Sequence, residues 1–314
     1  MVTSKSTLTV ARLALQAAQR AFADYAHPKS PHKFTQPQLV ACLVIKQFRR
    51  LDYRGTEVLL AEWSDLRAVL GLRKAPHFTT LQQADRRRLR QVSADALLAA
   101  VLDLSRQQKL LPRRSPLAAI DATGLETRHV SAYDTQRGSR HRGHRKRRYP
   151  KVSALCDTAT HLILGAVIDR GPKPDAVEDE ATLEAAWRQQ KFRTLLGDAG
   201  YESERFHRRC RQGLGVRSII PTTERGRPRQ DGQPRPVHGR YRRLMKRRFP
   251  KKLYGQRWQI ETVFSMLKRN LGAALHARHY HSQTREIRLR LLTHNLMILR
   301  SSTMFHTEQD RPHY

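Results

Sequence analysis

Acidic residues are scarce in this chain. Its 314 residues carry 27 Asp and Glu against 60 Lys and Arg, a formal net charge of +33. Solubility needs far less. Such a charge works against the compact free protein and favours a polyanionic partner. Cysteine is scarce as well. Cys42, Cys156 and Cys210 stand far apart with no CxxC pair. That argues against a disulfide framework and a thiolate zinc site, and reduced thiols in a cytoplasm are expected. No apolar run approaches the ~20 residues of a membrane span, and the N-terminus has no signal-peptide pattern. Of the two common polyanions, an anionic membrane surface is therefore disfavoured and nucleic acid favoured. Hydrophobic residues make up 39% of the chain, enough for a core but low enough to imply long solvated segments.

The first 112 residues read as helices. Residues 8–25 repeat apolar positions at three and four, and a second helix is expected over 38–51 after a proline-bearing linker. YRGTEVLLAEWSDLRAVLGL reads as one helix or as two broken near Trp63 and Ser64, with Gly71 as the stop. Thr79 or Thr80 is expected to cap a very basic helix, and residues 93–108 to close the section. A helix-turn-helix-like DNA reader and a scaffold with solvated charges stand near even here.

The pattern changes after a hinge at 110–116. A short strand, LAAID, ends at Asp121. KVSALCD and HLILGAVID form a hairpin around the turn at 158–160. A helix is expected from about Pro174 or Asp175, then the strand FRTLLGD ending at Asp198, a helix over 202–215, and a strand over 217–221. A basic insert spans 222–252, and an amphipathic segment at 284–300 closes the chain. This order predicts a mixed α/β sheet with helices on its faces. The expected domains are 1–112, helical, basic and DNA-binding, and 113–314, catalytic.

The stretch YGQRWQIETVFSMLK, residues 254–268, reads as one helix. At roughly 100° per residue, Tyr254, Arg257, Glu261 and Lys268 fall within an arc of about 60°. Ile260, Val263, Phe264 and Leu267 take the adjacent, core-facing flank. The plain interpretation is a surface helix with i,i+4 ion pairs. The carboxylates elsewhere shift the balance. Asp121 and Asp198 end strands, where loops of α/β sheets collect reactive groups. Three acids brought together repel unless a cation neutralises them. Oxygen donors suit Mg²⁺ or Mn²⁺, and two such ions about 3.5–4 Å apart serve in-line phosphoryl displacement.

The spacing of Tyr254, Arg257, Glu261 and Lys268, the DAGY segment after Asp198 and the IDATGLE segment at Asp121 together resemble the insertion-sequence DDE transposases with an RNase H-like core. The resemblance covers roughly residues 115–300, and its third motif matches the Tyr-Arg-Glu-Lys signature without a departure. It implies an RNase H-like mixed sheet flanked by helices and preceded by an all-helical N-terminal domain. It also implies metal-binding, catalytic Asp121, Asp198 and Glu261, with Tyr254, Arg257 and Lys268 on DNA phosphates. The implied activity is Mg²⁺-dependent (or Mn²⁺-dependent) cleavage at the element's ends and strand transfer of the 3′-hydroxyl. Its partners would be double-stranded DNA, as terminal inverted repeats and target, and a second copy of the chain when DNA is bound. The expected location is cytoplasmic, at a prokaryotic nucleoid.

Two dense basic segments flank these acids. Arg145, Lys146, Arg147 and Arg148 lie in the first, Arg247 and Arg248 in the second. Solvated charge is the plain interpretation, but density beside an acidic site favours a phosphate track. His129, His141, His144, His276, His279 and His281 have no metal-ligand spacing. Two other functions compete: a catalytically inactive, domesticated DNA-binding descendant, and an RNase H-like nuclease that cuts without joining.

Overall fold

The computed structural model describes residues 3, 5–29, 32–127, 149–171, 178–223 and 236–309, and only the backbone for 300–309. The basic loop at 137–148, with Arg145 to Arg148, and the expected helix start at Pro174 or Asp175 lie outside these residues. The chain forms two units. One comprises Met1–Pro112, Glu126–Arg137 and Met266–Tyr314; the other comprises Arg113–Leu125 and Gly138–Ser265.

The first unit is helical. Helix α1 (Thr7–Ala21) buries Val10, Ala11, Ala14, Ala17 and Ala18 at helical spacing. That mostly alanine face lets α2 (Gln36–Phe48) pack against it. Thr35 and Gln38 close a capping box ahead of α2, with Pro37 in its first turn, which fixes the start at a position proline tolerates. Helices α3 (Tyr53–Glu62) and α4 (Ser64–Val69) are separate, because Trp63 is extended. Gly71, at φ +63°, takes the left-handed turn that ends α4. Helix α5 (Phe78–Arg88) is capped two or three residues earlier than expected. His77 Nδ1, not Thr79 or Thr80, accepts from a backbone N–H, that of Thr79. Helix α6 (Gln91–Gln107) follows.

The C-terminal helix α12 (Tyr280–Gln309) also belongs to this unit. Its Leu289, Leu292, Leu296 and Leu299 share one core with α1, α2 and α6. By sequence the segment 284–300 stood behind the 254–268 helix in the catalytic domain; its apolar stripe instead completes the helical core. A short parallel pair, β2 (Glu126–Thr127) with β7 (Ala274–Leu275), joins the same unit.

The second unit is built on a five-stranded sheet of order β4-β3-β1-β5-β6. Strands β1 (Arg114–Gly124), β3 (Tyr149–Asp157) and β4 (Ile163–Gly171) are antiparallel neighbours. Strands β5 (Lys191–Gly197) and β6 (Arg217–Ile219) run parallel to β1. Asp157 closes the β3–β4 hairpin, its Oδ1 accepting from the N–H groups of Ala159 and Thr160 and from the Thr160 hydroxyl. Helix α7 begins at Asp179 (Asp179–Gln189) and lies on β3 and β4. Helix α8 (Glu204–Arg208) continues as a π turn, Arg209–Gly213. This is the α/β, RNase H-like mixed sheet flanked by helices that the sequence predicts. All three cysteines are buried: Cys42 on α2, Cys156 on β3, Cys210 on the π turn.

Gly165 sets the distance between β4 and α7. A Cβ there would stand 2.5 Å from the backbone nitrogen of Ala186 and 2.6 Å from its Cα. Backbone cannot give way as a side-chain end can. Gly165→Ala should therefore destabilise the protein by about 1–3 kcal/mol, seen as a lower urea midpoint at unchanged slope.

Candidate active site

Parallel pairing of β1 with β5 runs to Ile120 opposite Gly197. The next residue in each case is an acid: Asp121, still on β1, and Asp198, just past the end of β5. The register thus sets them at neighbouring positions. Strand β1, expected to end at Asp121, runs three residues further, to Gly124. On its other edge β3 extends the pairing to Gly124 opposite Lys151. Each carboxylate has one oxygen fixed locally: Asp121 Oδ1 accepts from Ala122 N–H, and Asp198 Oδ1 from Gly200 N–H, both at 2.8 Å. The second bond caps the 3-10 turn Ala199–Tyr201.

The third acid comes from the far end of the unit's sequence. Helix α9 (Arg240–Arg247) leads to α10 (Lys251–Tyr254), a 3-10 turn (Gly255–Arg257) and α11 (Trp258–Leu271). One uninterrupted helix was expected over 254–268. The tighter turn intervenes, and it packs against both β1 and β5. Ile260, Val263, Phe264 and Leu267 are buried as the wheel predicts.

Arg257 gathers the site. Its Nη1 stands 3.7 Å from Asp121 Oδ2, and its Nη2 donates to Glu261 Oε1 one turn along. Burial opposes the charge on Arg257. The hydrogen bond Arg257 donates to Glu261 and the fields of Glu261, Tyr254 and Asp121 outweigh it, so the guanidinium pKa is raised. Tyr254 is part-buried, and burial raises its pKa. Arg257 opposes that shift, while Asp198 and Asp121 add to it. Tyr254 thus lies in the fields of Arg257, Asp198 and Asp121, and Arg257 in those of Glu261, Tyr254 and Asp121. Asp121 is 17% exposed and Glu261 54%. Lys268 follows about two turns beyond Glu261 on α11 and is part-exposed.

Among the described residues, no three His, Cys, Asp or Glu converge closely enough to hold a metal ion. The positive charge between Asp121 and Glu261 is that of Arg257. The donor chemistry still fits a hard divalent cation: all three candidates are carboxylates, two of them one residue beyond the last paired residues of β1 and β5.

Arg247 and Arg248 are exposed at the end of α9. Two acids that the sequence did not single out hold this helix. Glu204 accepts from the N–H groups of Tyr241 and Arg242, and the fully buried Glu202 pairs with the Arg242 side chain. Their signal was available: two acids directly after DAGY, in a chain poor in acids, facing a cationic insert. His161 Nε2 lies 2.5 Å from Gln259 Oε1, tying the β3–β4 turn to α11.

An RNase H-like sheet with acids at its central strands and on a facing helix defines a candidate phosphodiester-processing protein. The model of the family described as "Transposase DDE domain" matches residues 112–296, more than half of the chain. The chain belongs to that family, the DDE transposases, whose activity is DNA transposition. No curated protein matches it. No helix among the described residues is long and apolar enough to cross a membrane.

His207, buried on α8 beside the Glu202–Arg242 pair, makes this region sensitive to acid. Burial first, then Arg211, lowers its pKa from 6.5 to about 4. Its Nδ1 is 2.7 Å from Ser218 Oγ. A ring kept neutral by folding contributes its full stability above pH 6.5 and loses it as pH falls towards 4. The stability advantage of wild type over His207→Gln should shrink by on the order of 2 kcal/mol between pH 7 and pH 5, measured by urea unfolding at each pH.

Proposed function

We propose that this chain is an insertion-sequence transposase of the Tyr-Arg-Glu-Lys branch, with Asp121, Asp198 and Glu261 as its catalytic triad. The observation that carries the proposal is Arg257 bridging Asp121 and Glu261 while strand register sets Asp198 beside Asp121. Mg²⁺, or Mn²⁺, would be held by those three carboxylates. A bound pair of such ions supplies activation of a water or hydroxyl and charge neutralisation at the leaving oxygen.

The remaining work falls to the chain's own side chains. Arg257 offers a planar fork and Lys268 a point charge to phosphate oxygens of the element's end. Tyr254, kept protonated, donates a hydrogen bond there. Arg145, Lys146, Arg147 and Arg148, with Arg247 and Arg248, form the phosphate track. Such contacts position DNA without reading its sequence. Residues 1–112 bind the terminal repeats, 113–314 carry the chemistry, and a homodimer brings two ends together. Water attacks the phosphodiester at each end and frees a 3′-hydroxyl. That hydroxyl then attacks a target phosphodiester, one P–O bond forming as another breaks. The protein works in the cytoplasm, at the nucleoid.

Asp198→Asn and Glu261→Gln should each lower cleavage of end-bearing duplex in Mg²⁺ by at least about a hundredfold, with DNA affinity retained. Undiminished cleavage would remove the triad assignment. A labelled end that is cut but never joined to a plasmid would favour the nuclease; tight binding without cutting by wild type, the inactive descendant. DNA affinity should also fall about a thousandfold between 50 and 200 mM salt. An affinity flat in salt would remove the phosphate track.

A further inference from the structure

Within the helical unit, a cavity of about 820 Å³ lies among α2, α3, α5 and the segment from Leu271 to Leu289. Ligand pockets run from roughly 300 to 1,000 Å³. Five Lys and Arg line it against three acids. Each acid is already committed. Asp52 caps α3 through the Gly55 N–H at 2.7 Å. Asp85 is paired with Arg285 at 2.9 Å. Glu286 is paired with Arg290 at 2.6 Å and accepts from the N–H groups of His276 and Ala277.

Lys46 is different. It sits in the last turn of α2, part-buried, its ammonium 4.7 Å from the centre of the Tyr53 ring. None of the three acids forms an ion pair with it. A part-buried ammonium with no direct carboxylate partner is a position where an incoming anion is favoured. Burial lowers its pKa, with Asp85, Glu286 and Asp52 acting against the shift. Arg86 and Arg278, both exposed, border the same space. Tyr53, Leu271 and Leu289 give it apolar and aromatic wall.

We propose that this cavity binds a nucleoside monophosphate unit, with Lys46, Arg86 and Arg278 meeting the phosphate and the Tyr53 side receiving the base. The unit is either a free nucleotide or one residue of a DNA strand; the chemistry is the same. The proposal is independent of the carboxylate site, and neither stands or falls with the other.

Calorimetric titration of the full chain with dAMP, deoxyadenosine and inorganic phosphate tests it. One dAMP should bind per chain, with deoxyadenosine at least about tenfold weaker, since a charge-assisted phosphate contact is worth about 1.5–3 kcal/mol. Lys46→Gln and Arg278→Gln should each weaken dAMP by about tenfold, and Arg12→Gln, an exposed charge on α1, should not. Arg278→Gln lies on the surface, so the test survives if Lys46→Gln disturbs α2. Displacement of dAMP by a single-stranded 12-mer identifies DNA as the source; retention of dAMP identifies a free nucleotide. Non-saturating dAMP binding, or equal loss in Arg12→Gln and Arg278→Gln, would reduce the effect to general surface charge and overturn the proposal. So would phosphate binding as tightly as dAMP, which leaves the base no place.

Discussion

Like charges brought close repel, and Asp121 and Asp198 follow the last paired residues of two parallel strands, with Glu261 on a nearby helix. The register that sets Gly197 opposite Ile120 makes Asp121 and Asp198 neighbours whatever their charge. A counter-charge is then needed at that spot. Arg257 supplies it to two of the acids, and it can do so because a 3-10 turn, not an α-helical one, carries it against β1 and β5. In water an i,i+4 pair such as Arg257–Glu261 is worth only tenths of a kcal/mol. Beside Asp121 the same pair also relieves repulsion between acids. The plain surface-helix interpretation and the active-site interpretation thus meet in one residue.

A chain so rich in cations folds by placing its few acids where they hold the most structure. Glu202 and Glu204 fasten a helix whose sequence, RYRRLMKR, offers little else to bury than Met245. Glu286 serves two backbone N–H groups and Arg290 together. Arg290, fully buried, also donates to the carbonyls of Gly272 and Ala274. These pairs lie inside or half inside, where losing one partner leaves a costly unpaired charge. The surface is left to the remaining cations, the excess that disfavours the compact chain on its own.

Local patterns carried most of the fold into the sequence. The break at Trp63, the stop at Gly71, the hairpin at 158–160 and the buried flank of α11 all follow from period, turn chemistry and capping. What escaped depends on distant partners. The extension of β1 past Asp121 comes from β3, and the place of α12 comes from a core it shares with α1, α2 and α6. The 3-10 turn at 255–257 reflects contact with two strands. His77 as a cap is a local event, but histidine ranks low among caps, so the pattern favoured threonine. For the candidate site, spacing brought out the Tyr254, Arg257 and Glu261 face; the link from Arg257 to Asp121 required the folded sheet.

The burial of all three thiols gives the molecule a built-in gauge of its own opening. Desolvation pushes the Cys42 thiol up to about 12 and raises Cys156 and Cys210 as well. Closed molecules therefore present almost no thiolate, the form that reacts. A thiol reagent would advance only as fast as the chain breathes. Cys42 times the helical unit, and Cys156 and Cys210 time the sheet, so one unmodified protein reports the looseness of each part separately.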